Sequence, residues 1–186
     1  MGKKQMYLNT LSHIIKVLAA WQDPQTAVLL ILQDVKTALE AKGSSLLMVK
    51  EKTDELEVVM SQGLSDLYLH KGPVSTAGVP DRPVLIHDAA NDPRAQYPEA
   101  AAEEGIASIL SIPIIVRKST IGALRIYTAQ PWNPTADDLN FTQAAAQLAG
   151  MALEMSRLNS TPDKPLRQAT AAKSQTWEIY PAHDEG

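Results

Sequence analysis

The sequence contains no cysteine. Thiolate nucleophiles, disulfides, iron–sulfur clusters, thiolate zinc sites and thioether-attached cofactors are thereby excluded. It also lacks an excess of positive charge, since 17 Lys and Arg against 21 Asp and Glu leave −4. A field of that sign does not gather phosphate backbones, so neither direct nucleic-acid binding nor a polybasic membrane contact is expected. No apolar run approaches the roughly 20 residues that a membrane-spanning helix requires. Behind Lys3 and Lys4, the residues Asn9, Thr10, Ser12, His13 and Lys16 interrupt any secretory apolar segment; no signal peptide is read, and a cytoplasmic location is expected. The histidines are scattered, with no two at metal-ligand spacing, so no metal and no cofactor is implied. What remains is a chain of 186 residues, 45% apolar, which is material for one compact domain with some chain left over.

The element order follows from periodicity and punctuation. From Met6 to Trp21, Leu8, Leu11, Ile15 and Leu18 recur at helical spacing. Asp23-Pro24 supplies a cap and a first-turn proline for a second helix reaching about Ala41, apolar nearly all round in its first half and so expected to be sandwiched. Gly43 stops it. Ser44–Lys50 and Glu55–Ser61 then read as an antiparallel hairpin, and Ser65-Asp66 caps one helical turn that Lys71-Gly72-Pro73 ends. Val74–Arg82 reads as loop and Pro83–Asp88 as a strand. Asp92-Pro93 is expected to open a short helix that Pro98 interrupts and Gly105 closes. Ile106–Val116 and Ile121–Thr128 form a second hairpin, with Pro113 marking an edge or a bulge. Thr135-Ala136-Asp137-Asp138 is a capping box with Asp in place of Glu, and a helix follows to about Asn159 with Phe141, Ala145, Leu148, Ala152 and Met155 along its apolar side. Beyond it the composition turns polar and aperiodic, as in a flexible tail, broken only by Trp177, Ile179 and Tyr180.

This order is an α+β arrangement on one antiparallel sheet. Within it, the runs Gly43-Ser44-Ser45-Leu46-Leu47, Glu57 to Ser65, Asp92-Pro93-Arg94 with Tyr97-Pro98, Glu104 to Pro113, and Ile121 to Thr128 before a capped helix resemble a GAF domain. The resemblance covers roughly Leu11 to Leu158. It divides the chain into a GAF-like, PAS-related domain at 1–159 and a tail at 160–186, and implies terminal helices on one face of the sheet and a small-molecule pocket on the other. It also implies a regulatory role, a homodimer formed through the terminal helices, and output delivered to a separate signalling protein. Between Val74 and Arg82 the chain is too short for a helix that members of the family commonly place over the pocket, which predicts an open, shallow or vestigial pocket. Bilin attachment and free methionine sulfoxide reduction in this family use cysteines, and the Asn-Lys-Phe-Asp-Glu pattern of cyclic-nucleotide-binding members has no match here.

Strand alternation places Ala123, Arg125 and Tyr127 on one face and Leu124 and Ile126 on the other. Arg125 then presents a rigid fork of donors suited to a carboxylate or other oxyanion, unless an acidic side chain or solvent claims it. Ala107 and Ser108 border the same face and, with Ser111, offer N–H and hydroxyl donors to an anion, unless sheet pairing consumes them. The expected lining is Arg125, Tyr127, His87, Tyr97, Ala107, Ser108, Ile109 and Ser111. His87 beside Asp88 suits a structural hydrogen bond better than a metal, and Glu103-Glu104 reads as the solvated end of a helix. No catalytic constellation is found, so the chain is not expected to be an enzyme. Two functions fit: a sensor of a small, anionic ligand, or a ligand-free scaffold for dimerisation and docking.

Overall fold

The computed structural model describes residues 2–20, 23–50, 53, 55–75 and 81–159. Trp21, the interior of the Val74–Arg82 segment and the tail with Trp177, Ile179 and Tyr180 lie outside them. The described elements are α1 (Lys3–Ala19), α2 (Pro24–Ala38), β1 (Gly43–Val49), β2 (Glu55–Gln62), α3 (Asp66–Leu69), β3 (Val74–Ser75), β4 (Val84–Ile86), α4 (Pro98–Glu104), β5 (Ser108–Val116), β6 (Ser119–Thr128) and α5 (Ala136–Asn159). The strands form one antiparallel sheet in the order β3-β2-β1-β6-β5-β4. It is the expected α+β fold.

α2 and α5 start at side-chain caps. Asp23 accepts from the Gln25 and Thr26 amides, and Thr135 and Asp138 exchange reciprocal bonds at 2.9 and 3.2 Å, a complete capping box with aspartate in the third position. α2 buries Val28, Ile31, Leu32 and Val35 fully, but Leu29 and Leu30, which make its first half apolar all round, are 37% and 41% exposed, so it is covered on one side and not all round as expected. With Ile14, Phe141 and the alanines of α5, Val28, Ile31, Leu32 and Val35 meet Leu46, Leu110, Ile112, Ile114, Leu124 and Ile126 from the sheet. α5 lies close on β5 because it turns small residues inward; a Cβ on Gly150 would sit 2.3 Å from Ile114 Cγ2. Its buried side is therefore Phe141, Ala145, Ala146, Ala149 and Ala152, while Met155 and Met151 stay outside.

Several expectations are corrected. The α1 stripe splits: Leu11 and Leu18 pack inward, Tyr7 and Ile14 are buried, and Leu8 and Ile15 remain 62% and 54% exposed. Asp92-Pro93 opens a turn and not a helix, because the Asp92 carboxylate folds back onto the Arg94 amide and guanidinium. Pro98 starts α4 instead of breaking it, in the first-turn position where its missing N–H costs nothing. Val74–Ser75 is a strand pairing with Leu56 and Glu55, too short for alternation to reveal. Pro113 lies where β4 has run out, beyond the Val84↔Ser111 pair, and the register shift falls one step later, between Ile114 and Ile115.

On the face away from the helices a second, smaller core gathers Tyr68, Ala89, Ala101, Ile106, Ile109 and Tyr127. It seats α3 and α4 against β5 and β6. Beside it the sheet is left uncovered enough to hold a cavity.

Candidate functional site

The cavity floor is a row of cross-strand neighbours. Val84 pairs with Ser111, Ser111 with Arg125, and Arg125 with Ser45. Small serines on both sides leave room for the Arg125 side chain to lie over the sheet. In the parallel row Ile86 pairs with Ile109 and Ile109 with Tyr127, and the two isoleucines supply apolar surface. A cavity of 440 Å³ opens above, bounded also by Tyr68 and Lys71 from the α3 side and by Arg82, Arg94, Gln96 and Tyr97 from the segment before α4. That size is within the range of small-ligand sites.

Two local devices hold the walls. Glu104, at the end of α4, accepts from the Ser65 amide at 3.0 Å and from the Ser65 hydroxyl, so it ties α3 to α4 and is not a merely solvated helix end. Burial pushes its carboxyl up, but the two Ser65 bonds prevail and hold it below the usual glutamate value. Tyr97 donates its hydroxyl to Pro73 O at 2.5 Å, fastening the chain that carries Lys71.

Charge in the cavity is one-sided. Among the described residues its lining holds four cations, Lys71, Arg82, Arg94 and Arg125, and no carboxylate. Arg94 is neutralised from outside by Asp92, whose carboxyl falls to about 2 through its hydrogen bonds to the Arg94 side chain and amide. Lys71 donates to Tyr68 O at 2.9 Å and sits 3.8 Å from the Tyr68 ring centroid, a cation–π contact. Burial, with the Arg125 charge next to it, pulls the Lys71 amine down to about 8. Arg125 has an enclosed Nε with no hydrogen-bond partner. A buried donor left in that state costs about 1–3 kcal/mol. The arrangement can receive an oxyanion at Arg125 and an apolar body against Val84, Ile86 and Ile109.

Of the residues expected to line this space, Arg125, Tyr97, Ile109 and Ser111 do so. Tyr127 does not: it is buried beneath, bonded to Ser45 Oγ at 2.9 Å and edge-on to Tyr68. Ser108 gives its hydroxyl to His87 O and accepts from the Trp132 amide, and the amide and carbonyl of Ala107 are both used in pairing with Thr128 and Ala89. His87 is exposed and outside the lining. Sequence reasoning missed Tyr68 and Lys71, which look like a capped turn and its stop signal; only the fold brings that turn over Arg125. Among the described residues no group of His, Asp and Glu could hold a metal, and no helix is long and apolar enough to cross a membrane.

Comparison with known proteins places these features in context. The GAF domain family model matches residues 23–153. The GAF domain of a phosphoenolpyruvate-protein phosphotransferase from Coxiella burnetii is similar at 20% identity and TM-score 0.73, over 85% of this chain and 98% of that one. The corresponding domain from Acinetobacter is 18% identical with TM-score 0.71, over 88% and 100%. A free methionine-R-sulfoxide reductase from Neisseria meningitidis, solved with its substrate, is 18% identical with TM-score 0.70, over 86% and 95%. No curated protein matches the sequence significantly.

Proposed function

This chain belongs to the GAF domain family, and from that premise we propose that it is a regulatory module that binds a small organic anion in the cavity above Arg125. The observation that carries the reading is the guanidinium of Arg125, whose enclosed Nε lacks a partner in a cavity lined by four cations and, among the described residues, no carboxylate. A carboxylate or similar group on the guanidinium offsets the mutual repulsion of Lys71 and Arg125. The reductase-like chemistry of the Neisseria relative is not part of the proposal, since a chain without cysteine has no thiol to oxidise.

Native mass spectrometry of gently purified protein, with a thermal-shift screen of small organic acids, tests this. A bound or stabilising anion whose effect disappears in Arg125→Gln supports it. An empty protein that no anion stabilises would falsify it and favour a ligand-free scaffold.

Output is proposed to pass through α1 and α5 to a second copy of the chain and on to a signalling partner. Leu8 and Ile15 of α1 and Met151 of α5 remain exposed and supply an apolar surface for the second copy. Light scattering that returns a 20.2 kDa monomer at micromolar concentration overturns the dimer.

A further inference from the structure

We propose that Lys71 is a covalent docking point, its amine condensing reversibly with the oxo group of a small 2-oxo acid whose carboxylate rests on Arg125. The inference builds on the anion-binding reading above and adds a bond to it.

Lys71 Nζ has a fixed position, held by Tyr68 O and the Tyr68 ring. It faces the same cavity as Arg125, near enough for the guanidinium to disfavour the ammonium form. Withdrawal from water beside a second cation is the setting in which a lysine amine is partly unprotonated near neutrality and becomes nucleophilic. The lowering of Lys71 to about 8 has those two causes, in that order, with Glu104 opposing them. Arg125 contributes the other half, a guanidinium in the cavity lining whose planar donors suit a carboxylate. Val84 and Ile86 give a short aliphatic body a dry wall.

The step balances without an oxidant or reductant. Solvent takes one proton from the Lys71 ammonium, and the nitrogen lone pair forms a C–N bond to the carbonyl carbon while the carbonyl π pair moves to oxygen, which is protonated. One of the nitrogen's protons passes to the hydroxyl of the carbinolamine, and the nitrogen lone pair expels that oxygen as water. An ammonium and a ketone have become a protonated imine and one water, and hydrolysis reverses the change.

The test incubates the full chain with pyruvate and sodium cyanoborohydride, which reduces imines in preference to ketones, and maps the carboxyethylated lysines by peptide mass spectrometry. Labelling is expected at Lys71 about tenfold or more above any other lysine, and to fall about tenfold in Arg125→Gln, as loss of a charged hydrogen bond predicts. Acetone, which has no carboxylate, should show no preference for Lys71. Lys71→Arg and Lys71→Met should both lose the adduct while retaining the wild-type melting cooperativity. Labelling spread evenly over the lysines, or absent from Lys71 in the wild-type chain, overturns the proposal. Were pyruvate to stabilise the wild type and Lys71→Arg alike through Arg125 with no adduct trapped, the imine would fall and anion binding would stand; neither effect would remove both.

Discussion

Gly72 packs against Tyr97, a wall residue of the cavity. Gly72 has φ +135, a conformation favourable only to glycine, and a Cβ there would lie 2.6 Å from Tyr97 Oη. The same hydroxyl is the one that holds Pro73 O at 2.5 Å. Gly72→Ala is therefore expected to destabilise the chain by about 2 kcal/mol through backbone strain and the displaced tyrosine. It should also accelerate amide exchange around Val74. Tyr97→Phe should reproduce the exchange at a smaller cost, about 1 kcal/mol, as loss of one hydrogen bond.

Arg125→Met should have opposite effects on the empty and the occupied protein. The enclosed, unpartnered Nε disappears while the aliphatic body is retained, so the ligand-free chain should gain about 1 kcal/mol in urea unfolding. Any stabilisation by small anions should vanish in the same variant. A loss of ligand-free stability would mean that Arg125 has a structural partner.

Lys71 gives a pH dependence of defined sign. Its folded value, about 8, lies below its ordinary 10.5, so between these values the unfolded chain holds more protons and stability rises with pH. The rise should be visible from about pH 8 to about pH 10, beyond which unfolded tyrosines begin to ionise. Lys71→Met should flatten it. Carboxylate binding should weaken over the same range as the ammonium loses its charge.

Asp138 also makes stability rise with pH, but in the acid range and because its charged form is the one the fold favours. It is buried, and burial alone raises its pKa; Lys3 at 2.8 Å, Tyr7 at 2.6 Å and the Thr135 cap more than compensate and leave it lowered. Its contribution is therefore complete above about pH 4 and is lost as pH falls through the depressed value. Asp138→Ala should cost roughly 2–4 kcal/mol at about pH 7, a cap together with charged hydrogen bonds. The difference from wild type should shrink in acid. A gap that is constant with pH would show that the ion pair does not contribute.

How much of this was legible depended on the range of the forces involved. Caps, hairpins and the alternation that sends Arg125 one way and Leu124 the other are local, and the sequence displays them. The β5–β6 turn is expected at Arg117–Thr120 and lies there, but its conformation is not announced, since Arg117 and Lys118 both take positive φ with neither glycine nor asparagine present. Long pairing of Val116 with Ser119 and their neighbours imposes that turn. Site residues divide in the same way. Arg125, Ser111 and Ile109 follow from strand periodicity, and the same alternation along β5 turns Ser108 to the opposite face, where His87 O and the Trp132 amide take its hydroxyl; Lys71 enters only through α3 docking on Tyr127. Side chains selected by tertiary partners leave no local trace.

Strand β6 is a wall shared by two rooms. Arg125 projects into the cavity, and its immediate neighbours Leu124 and Ile126 are packed among the three long helices. A close-packed interior does not absorb small displacements softly. A pull on the guanidinium would be felt, one residue away and without an intervening hinge, by the apolar face on which α5 packs. A ligand bound above Arg125, as proposed, would stand one strand's thickness from the helix layer.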